Sequence, residues 1–336
     1  MKYDVHAHIV PASLTDRLAR DGARCGVTLT DQGGALRFKA GEGSSGPVRP
    51  DLLDVDARFA AMDAAGVDVQ LLSAWITLTA YTLPAEQGVA WTRLFNEAMA
   101  ETVASHPDRF RGLATVPLQA GEEAAAELRH AVQQLGLVAA QIATTVAGRE
   151  LDDPAFEPFW AAAEELRCLV VIHPDQVLPG RDKPRYVLGN FVGNAAETTI
   201  AAAHLVFGGV LERHPDLRIC LVHGGGYAPY QAARMDHGWE SEPRLVDRHL
   251  SQLPSAYLRR FYYDTVTHSP EVLRFLLDFA GVGQVVLGTD YPFEMGEADP
   301  VGLVRSVPGL SEDEQRQILE GNLEWLVAEV RHGDAS

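Results

Sequence analysis

Met1-Lys-Tyr-Asp-Val-His-Ala-His-Ile-Val-Pro11 opens the chain, and its reading decides the fold. Residues 3–5 form a short buried strand that ends in His6-Ala7-His8, and Pro11 stops the run. Residues two apart on a strand point to the same side, so His6 and His8 project together, about 6–7 Å apart along the backbone. Two neutral imidazoles on one face can hold a metal ion. An H-x-H pair also arises by chance, so the rest of the chain has to supply further ligands at matching places.

Eight short apolar runs read as strands: 2–5, 67–73, 111–116, 137–143, 169–172, 218–222, 261–265 and 284–287. Most are continuous rather than alternating, as expected of strands buried on both faces of a parallel sheet. Helical patterns lie between them, at 54–65, 86–105, 122–135, 156–166, 197–213 and 270–280. Ser311 with Glu314 three residues on is a capping box that opens the last helix. Eight strands alternating with helices is the count of an α/β fold of the (β/α)8 TIM-barrel type, spanning residues 1–336 as one domain. A doubly wound open sheet is disfavoured because no G-x-G-x-x-G follows the first strand. Residues 13–50 break the alternation. They are glycine-rich, with alternating pieces at 27–30 and 36–39, and read as a two- or three-stranded flap inserted after the first strand, over the mouth where barrel active sites are built.

Composition narrows the partners. The 46 acidic against 28 basic residues leave a formal charge of −18, which disfavours nucleic acid and anionic membranes. No apolar run reaches the roughly 18 residues of a membrane helix, and the first residues lack the apolar core of a signal peptide. Cys25, Cys168 and Cys220 are odd in number and scattered, which suits the cytoplasm. An anionic substrate would need local positive charge from a metal or an arginine, since lysine occurs only at 2, 39 and 183.

Of the twelve histidines, few end a strand. His173 follows residues 169–172, and His223 follows 218–222 and precedes three glycines. Asp290 follows the last strand and precedes Tyr291-Pro292. With His6 and His8, these sit at the C-terminal ends of strands one, five, six and eight, which meet at one mouth in a barrel. Imidazoles plus a carboxylate suit Zn²⁺, with Mn²⁺ as another divalent candidate. His223 is the candidate acid/base, placed to take a proton from water and return it later. His268 is a candidate in the shell behind it. His106 and His214 are helix-end residues, and His130, His204, His249 and His332 fall in helical or tail contexts. The His223-Gly-Gly-Gly226 run could form a serine-hydrolase oxyanion hole, but that needs a G-x-S-x-G elbow and none is present.

The chain resembles the metal-dependent amidohydrolase superfamily, in the branch of 2-amino-3-carboxymuconate-6-semialdehyde decarboxylase and related nonoxidative decarboxylases. The resemblance covers nearly the whole chain. It is carried by Asp4-Val-His-Ala-His-Ile-Val-Pro11, Met62-Asp-Ala-Ala-Gly-Val-Asp-Val-Gln70, Ala195-Ala-Glu-Thr-Thr-Ile200, His223-Gly-Gly-Gly226 and Val286-Leu-Gly-Thr-Asp-Tyr-Pro-Phe293 with Gly296-Glu297. It implies one zinc held by His6, His8, His173 and Asp290, with His223 as acid/base. It implies a homodimer in which Arg234 reaches the neighbouring subunit's substrate carboxylate, and a pocket lined by Phe293. The end of strand four carries Gln141, Ala143 and Thr144, and no lysine to bridge a second metal, so one metal per chain is expected. Two positions depart from the branch. Its second carboxylate-binding arginine falls at Gly46, with Arg49 the nearby candidate to replace it, and its aromatic residue after His-Pro is Asp175.

The expectation is a zinc-dependent nonoxidative carbon–carbon lyase acting on a small unsaturated or aromatic carboxylate. The alternatives are a hydrolase or hydratase of a lactone, amide or unsaturated acid at the same site, and a binding protein on a barrel that has lost its chemistry.

Overall fold

The structure is a computed structural model that describes residues 1–31, 33, 35–41, 43–175, 185–242 and 250–332. Lys183 and His249 lie outside the described residues. β1 (Tyr3–Ile9) leads through α1 (Leu14–Cys25) into an antiparallel sheet of β2 (Val27–Asp31), β3 (Leu36–Ala40) and β4 (Gly43–Ser44). The alternation then begins: α2 (Val55–Ala65), β5 (Val69–Ala74), α3 (Ala85–Ser105), β6 (Phe110–Ala114), α4 (Gly121–Gln133) and β7 (Ala139–Ala143). A small hairpin, β8 (Thr145–Val146) with β9 (Arg149–Glu150), precedes α5 (Glu157–Glu165) and β10 (Leu169–His173). The second half runs α6 (Ala195–Phe207), α7 (Val210–Arg213), β11 (Arg218–Leu221), α8 (Ala228–Ser241), α9 (Pro254–Leu258) and β12 (Tyr262–Asp264). It ends with α10 (Pro270–Ala280), β13 (Val285–Val286), α11 (Pro300–Arg305), α12 (Glu312–Arg316) and α13 (Asn322–Ala328).

All eight strands read from the sequence are present, in one parallel sheet of order β1-β5-β6-β7-β10-β11-β12-β13. Main-chain bonds close it into a barrel: Val5 N–H to the Leu287 carbonyl at 2.9 Å, Asp290 N–H to His6 at 2.8 Å and His8 N–H to Tyr291 at 2.8 Å. The interior is filled by Val5, Val69, Leu71, Leu113, Val171 and Val286. A larger apolar layer lies between strands and helices.

Three expectations need correction. β1 does not stop before His6 but continues to Ile9, because the backbone beyond Val5 still pairs with β5 and with the loop after β13. Simple alternation also fails within it. Val5 packs inside the barrel, whereas Asp4 bonds Gln70 on the helix side. Strict alternation would send His6 outward with Asp4. The pairing slips between Asp4 and Ala7, where β1 spends one residue more than β5. Such a bulge re-aims side chains, and here it turns His6 and His8 to the barrel axis.

Second, the 13–50 interval starts with a helix. Leu14, Leu18, Gly22 and Cys25 form a buried stripe at helical spacing, and Arg17 on α1 ion-pairs with Glu97 of α3. Third, the helix expected over 197–213 is two helices, α6 and α7, broken at Gly208-Gly209, where Gly209 has φ 71°. The Ser311–Glu314 capping box is present, and Cys25, Cys168 and Cys220 are buried and free. Among the described residues, no helix is long and apolar enough to cross a membrane.

Candidate active site

His6 and His8 on β1, His173 at the end of β10 and Asp290 after β13 converge at the C-terminal mouth. One ligand atom from each lies within 4.8 Å of all the others, and all four residues are buried. Their second ring nitrogens show which tautomers they adopt. His8 Nδ1 lies 3.1 Å from the Ala74 carbonyl, and His173 Nδ1 lies 2.7 Å from the Pro174 carbonyl. A carbonyl only accepts, so both Nδ1 atoms carry the proton. His6 Nδ1 donates to Asp264 Oδ2 at 2.7 Å. Three Nε2 lone pairs are therefore left facing one another and a carboxylate. The Nε2 atoms of His6 and His8 are 3.2 Å apart, and Asp290 Oδ1 is 3.2 Å from the first and 3.3 Å from the second. His173 Nε2 and Asp290 Oδ1 are buried without a hydrogen bond. Lone pairs turned on each other out of water are unfavourable unless a cation sits among them. The donor set therefore fits a divalent metal ion.

Without a cation, a proton on His6 Nε2 takes its place beside Asp290. Burial acts to lower the pKa of His6, but Asp290 and Asp264 outweigh it and raise it to about 10. Burial holds His8 below its usual value, and burial with the neighbouring imidazoles holds His173 well below. Burial pushes Asp290 up, yet the imidazoles of His6, His223 and His8 outweigh it and hold the carboxyl well below the usual carboxylate range. The pocket is built for positive charge at its centre.

His223 stands beside this cluster. Its Nε2 is 3.4 Å from Asp290 Oδ2, and its ring centre is 5.1 Å from that of His6 and 5.3 Å from that of His173. Its side chain is 20% exposed, so it alone of the five histidine and aspartate side chains opens appreciably toward the mouth. The residue has φ 55°, and the next three glycines have φ 60°, 75° and 61°. Four successive residues with positive φ make the turn that carries the imidazole beside the ligands. Side chains are excluded there. A Cβ on Gly225 would lie 2.4 Å from Tyr263 Cε1, and one on Gly226 would lie 2.2 Å from the Ala195 carbonyl oxygen.

A model of the amidohydrolase family matches residues 3–323. This chain belongs to the amidohydrolase family. It is 34% identical to 2-amino-3-carboxymuconate-6-semialdehyde decarboxylase of Dictyostelium discoideum, over 97% of this chain and 91% of that one. It is 33% identical to gamma-resorcylate decarboxylase of Rhodococcus jostii, over 72% of this chain and 79% of that one. The crystal structure of 5-carboxyvanillate decarboxylase from Sphingomonas paucimobilis superposes with a TM-score of 0.82 at 28% identity, covering 97% of this chain and 98% of that one. By this kinship the chain is a metal-dependent nonoxidative decarboxylase.

The family site is held here by residues that the sequence reading passed over. Asp264, at the end of β12, orients His6 and also accepts from the N–H groups of Gly224 (2.8 Å) and Val266 (3.2 Å). Asp4 accepts from the Thr289 N–H (3.0 Å) and hydroxyl (2.6 Å), the His6 N–H (3.0 Å) and Gln70 Nε2 (2.9 Å). Arg58 of α2 is fully buried. It donates to the His8 carbonyl at 2.5 Å and to Gln70 Oε1 at 3.0 Å, and its guanidinium lies 4.6 Å over the Tyr291 ring. Burial lowers its pKa to about 10, against the opposing pull of Tyr291 and Asp4, so it stays charged at neutral pH. These partners tie strand one to strand eight and set the distance between the histidine pair and Asp290. Asp264 could have been found, since it ends an apolar run as Asp290 does. Arg58 left only the hint of sharing a helix face with Met62, four residues on.

Around the amidohydrolase centre the expected substrate residues are scattered. The Phe293 ring is 5.3 Å from the His8 ring. The Arg49 guanidinium lies 5.9 Å from the Phe293 ring centre and pairs with Asp51 (2.8 Å) and with Glu294. Arg234 is exposed on α8 and makes no ion pair among the described residues. His268 Nδ1 lies 3.5 Å from Glu297, whose N–H bonds the Thr289 carbonyl beside Asp290. Gly46 faces Trp75, where a Cβ would sit 3.7 Å from Cη2. Burial pushes the Asp175 carboxyl up to about 6.

Proposed function

We propose that this decarboxylase is zinc-dependent, with one ion per chain held by His6, His8, His173 and Asp290, and that it acts on a small unsaturated or aromatic carboxylate. The convergence of three Nε2 lone pairs on Asp290, with His223 alongside, supports this reading. Imidazole nitrogen with one carboxylate is a donor set that zinc favours and manganese tolerates. When bound, the ion acts as a Lewis acid on substrate oxygen and lowers the pKa of water to roughly 7. Replacing a carboxylate by hydrogen needs one proton at the carbon that loses CO₂, as the electron pair of the broken carbon–carbon bond stays there. His223 delivers that proton from Nε2, which lies 3.4 Å from Asp290 Oδ2 and exchanges that contact for the substrate carbon.

Phe293 supplies an apolar wall beside His8. Arg49 takes the role of a carboxylate clamp, a substrate carboxylate replacing the largely exposed Glu294 as its partner. The same reading takes residues 1–336 as one barrel domain with 13–50 as a flap over the mouth. It takes the active form as a homodimer, with Arg234 serving the neighbouring site. Three buried, unpaired thiols fit a cytoplasmic protein.

The test is CO₂ release from 2-amino-3-carboxymuconate-6-semialdehyde, gamma-resorcylate and 5-carboxyvanillate by protein carrying about one zinc per chain. The expected result is release from at least one. His223→Ala should lower it by about 10²–10⁴-fold while zinc stays bound. Release at the normal rate from that variant would remove His223 from the role. No release from any of the three, with hydrolysis of a lactone or amide instead, would overturn the substrate class.

A further inference from the structure

A cavity of about 280 Å³ lies between the flap and the barrel mouth. Its walls come from β3 and β4, from residues 77–82 after β5, from Thr145 and Ala147, and from Asp175. The last three contributions all follow barrel strands at the C-terminal end, where the ligands sit, and Asp175 is two residues past His173. Phe38, Leu78 and Trp91 are among its apolar lining residues, and Thr145, Tyr81 and Asp175 among its polar ones. An apolar slot with a few converging polar groups is the usual form of a small-molecule site.

Two of those polar groups lack partners among the described residues. The buried Tyr81 hydroxyl has only a backbone contact with Ala143 that falls short of hydrogen-bond geometry, and no other partner among the described residues. Asp175 is half-buried, receives no hydrogen bond or ion pair from any described residue, and lines the same cavity as Tyr81. A carboxylate partly withdrawn from water without a donor is costly, and so is a buried hydroxyl without a partner. Among the described residues nothing relieves either group. A ligand that brings its own donor would.

We propose that this cavity receives the end of the substrate remote from its reacting carboxylate, and that Asp175 with Tyr81 selects an amino or hydroxyl group there. The inference rests on the carboxylate-substrate reading above. It also sets the substrate's direction. A second carboxylate beside Asp175 would be repelled, so the acidic end lies at the metal and the donor end lies under the flap. Asp175 is thereby a specificity-determining residue.

The test is equilibrium binding to zinc-loaded protein by titration calorimetry, using benzoate, 3- and 4-aminobenzoate and 3- and 4-hydroxybenzoate as probes. The wild-type chain should prefer at least one amino or hydroxyl compound over benzoate by about tenfold or more. Asp175→Ala should collapse that ratio to within about twofold. Asp175→Asn, which keeps the shape and an acceptor oxygen, should retain part of it and covers the case in which the alanine variant does not fold. Tyr81→Phe should reduce the ratio without abolishing it. A preference that both Asp175 variants keep in full, no preference in the wild type, or no binding of any probe to loaded protein would overturn the proposal. Failure of the decarboxylase reading looks different: the binding preference would persist and respond to Asp175 while none of the substrates released CO₂.

Discussion

His8 and Arg49 both face the barrel mouth, and they are held in different ways. The His8 imidazole is fully buried, its Nδ1 proton lies between the Ala74 carbonyl and the Ser73 hydroxyl, and its own carbonyl is gripped by Arg58. Arg49 is about a third exposed, and its partners Asp51 and Glu294 are themselves partly to largely exposed. The first residue belongs to a floor whose ligand histidines each have their Nδ1 tied to a fixed partner while their Nε2 atoms are left toward a common centre. The second belongs to a rim of exchangeable pairs that water screens. A metal centre needs fixed distances, so it is built where burial makes each misplaced group costly. A substrate-selecting edge needs partners that can be displaced, so it is built where ion pairs contribute about 0–1 kcal/mol.

That contrast can be broken by substitution. The largest effect is expected from His6→Ala and Asp290→Ala, each of which removes one of four converging ligands. Metal content after dialysis, read by atomic absorption, should fall from about one ion per chain to near none, and turnover with it. Full retention of metal by either variant would disprove the ligand set. Arg58→Met tests the layer behind. It touches no ligand atom, yet it frees the His8 carbonyl and the Gln70 amide in a buried place. Zinc affinity measured by chelator competition should fall by about 10–100-fold. Unchanged affinity would mean that the floor is not held from behind.

Gly225→Ala is expected to come next. Its Cβ would collide with the Tyr263 ring in a backbone conformation that alanine disfavours. Chemical denaturation should show a loss of about 1–3 kcal/mol, and CO₂ release should drop because His223 shifts. The smallest effect belongs to the rim. Arg49→Ala should change stability by no more than about 1 kcal/mol and should raise KM several-fold with kcat little altered. A large loss of stability there would erase the distinction between floor and rim.

Much of this was legible in the chain. The ligands stand at the ends of apolar runs, a local pattern with a direct structural meaning once the runs are strands of one barrel. The three glycines after His223 were visible as a run, and the structure shows what a Cβ on each would strike. The helix α1 was hidden by the glycines around it, although its Leu14, Leu18 and Cys25 have helical spacing. The bulge in β1 was hidden more deeply, because a register slip is a property of two strands and leaves no mark on either alone.

Sequence alone determined the residue types and periods: eight buried strands, the helices between them, and imidazoles with a carboxylate at the strand ends. Only the tertiary structure decided that Asp264 orients His6 across 258 residues, that Asp4 meets Thr289 across 285, and that Arg58 holds the carbonyl of His8. It also decided which ring nitrogen of each histidine is free. The physical reason is that periodicity reflects which face of an element is buried, a local matter, whereas a hydrogen bond between distant residues exists only once barrel closure has brought them together.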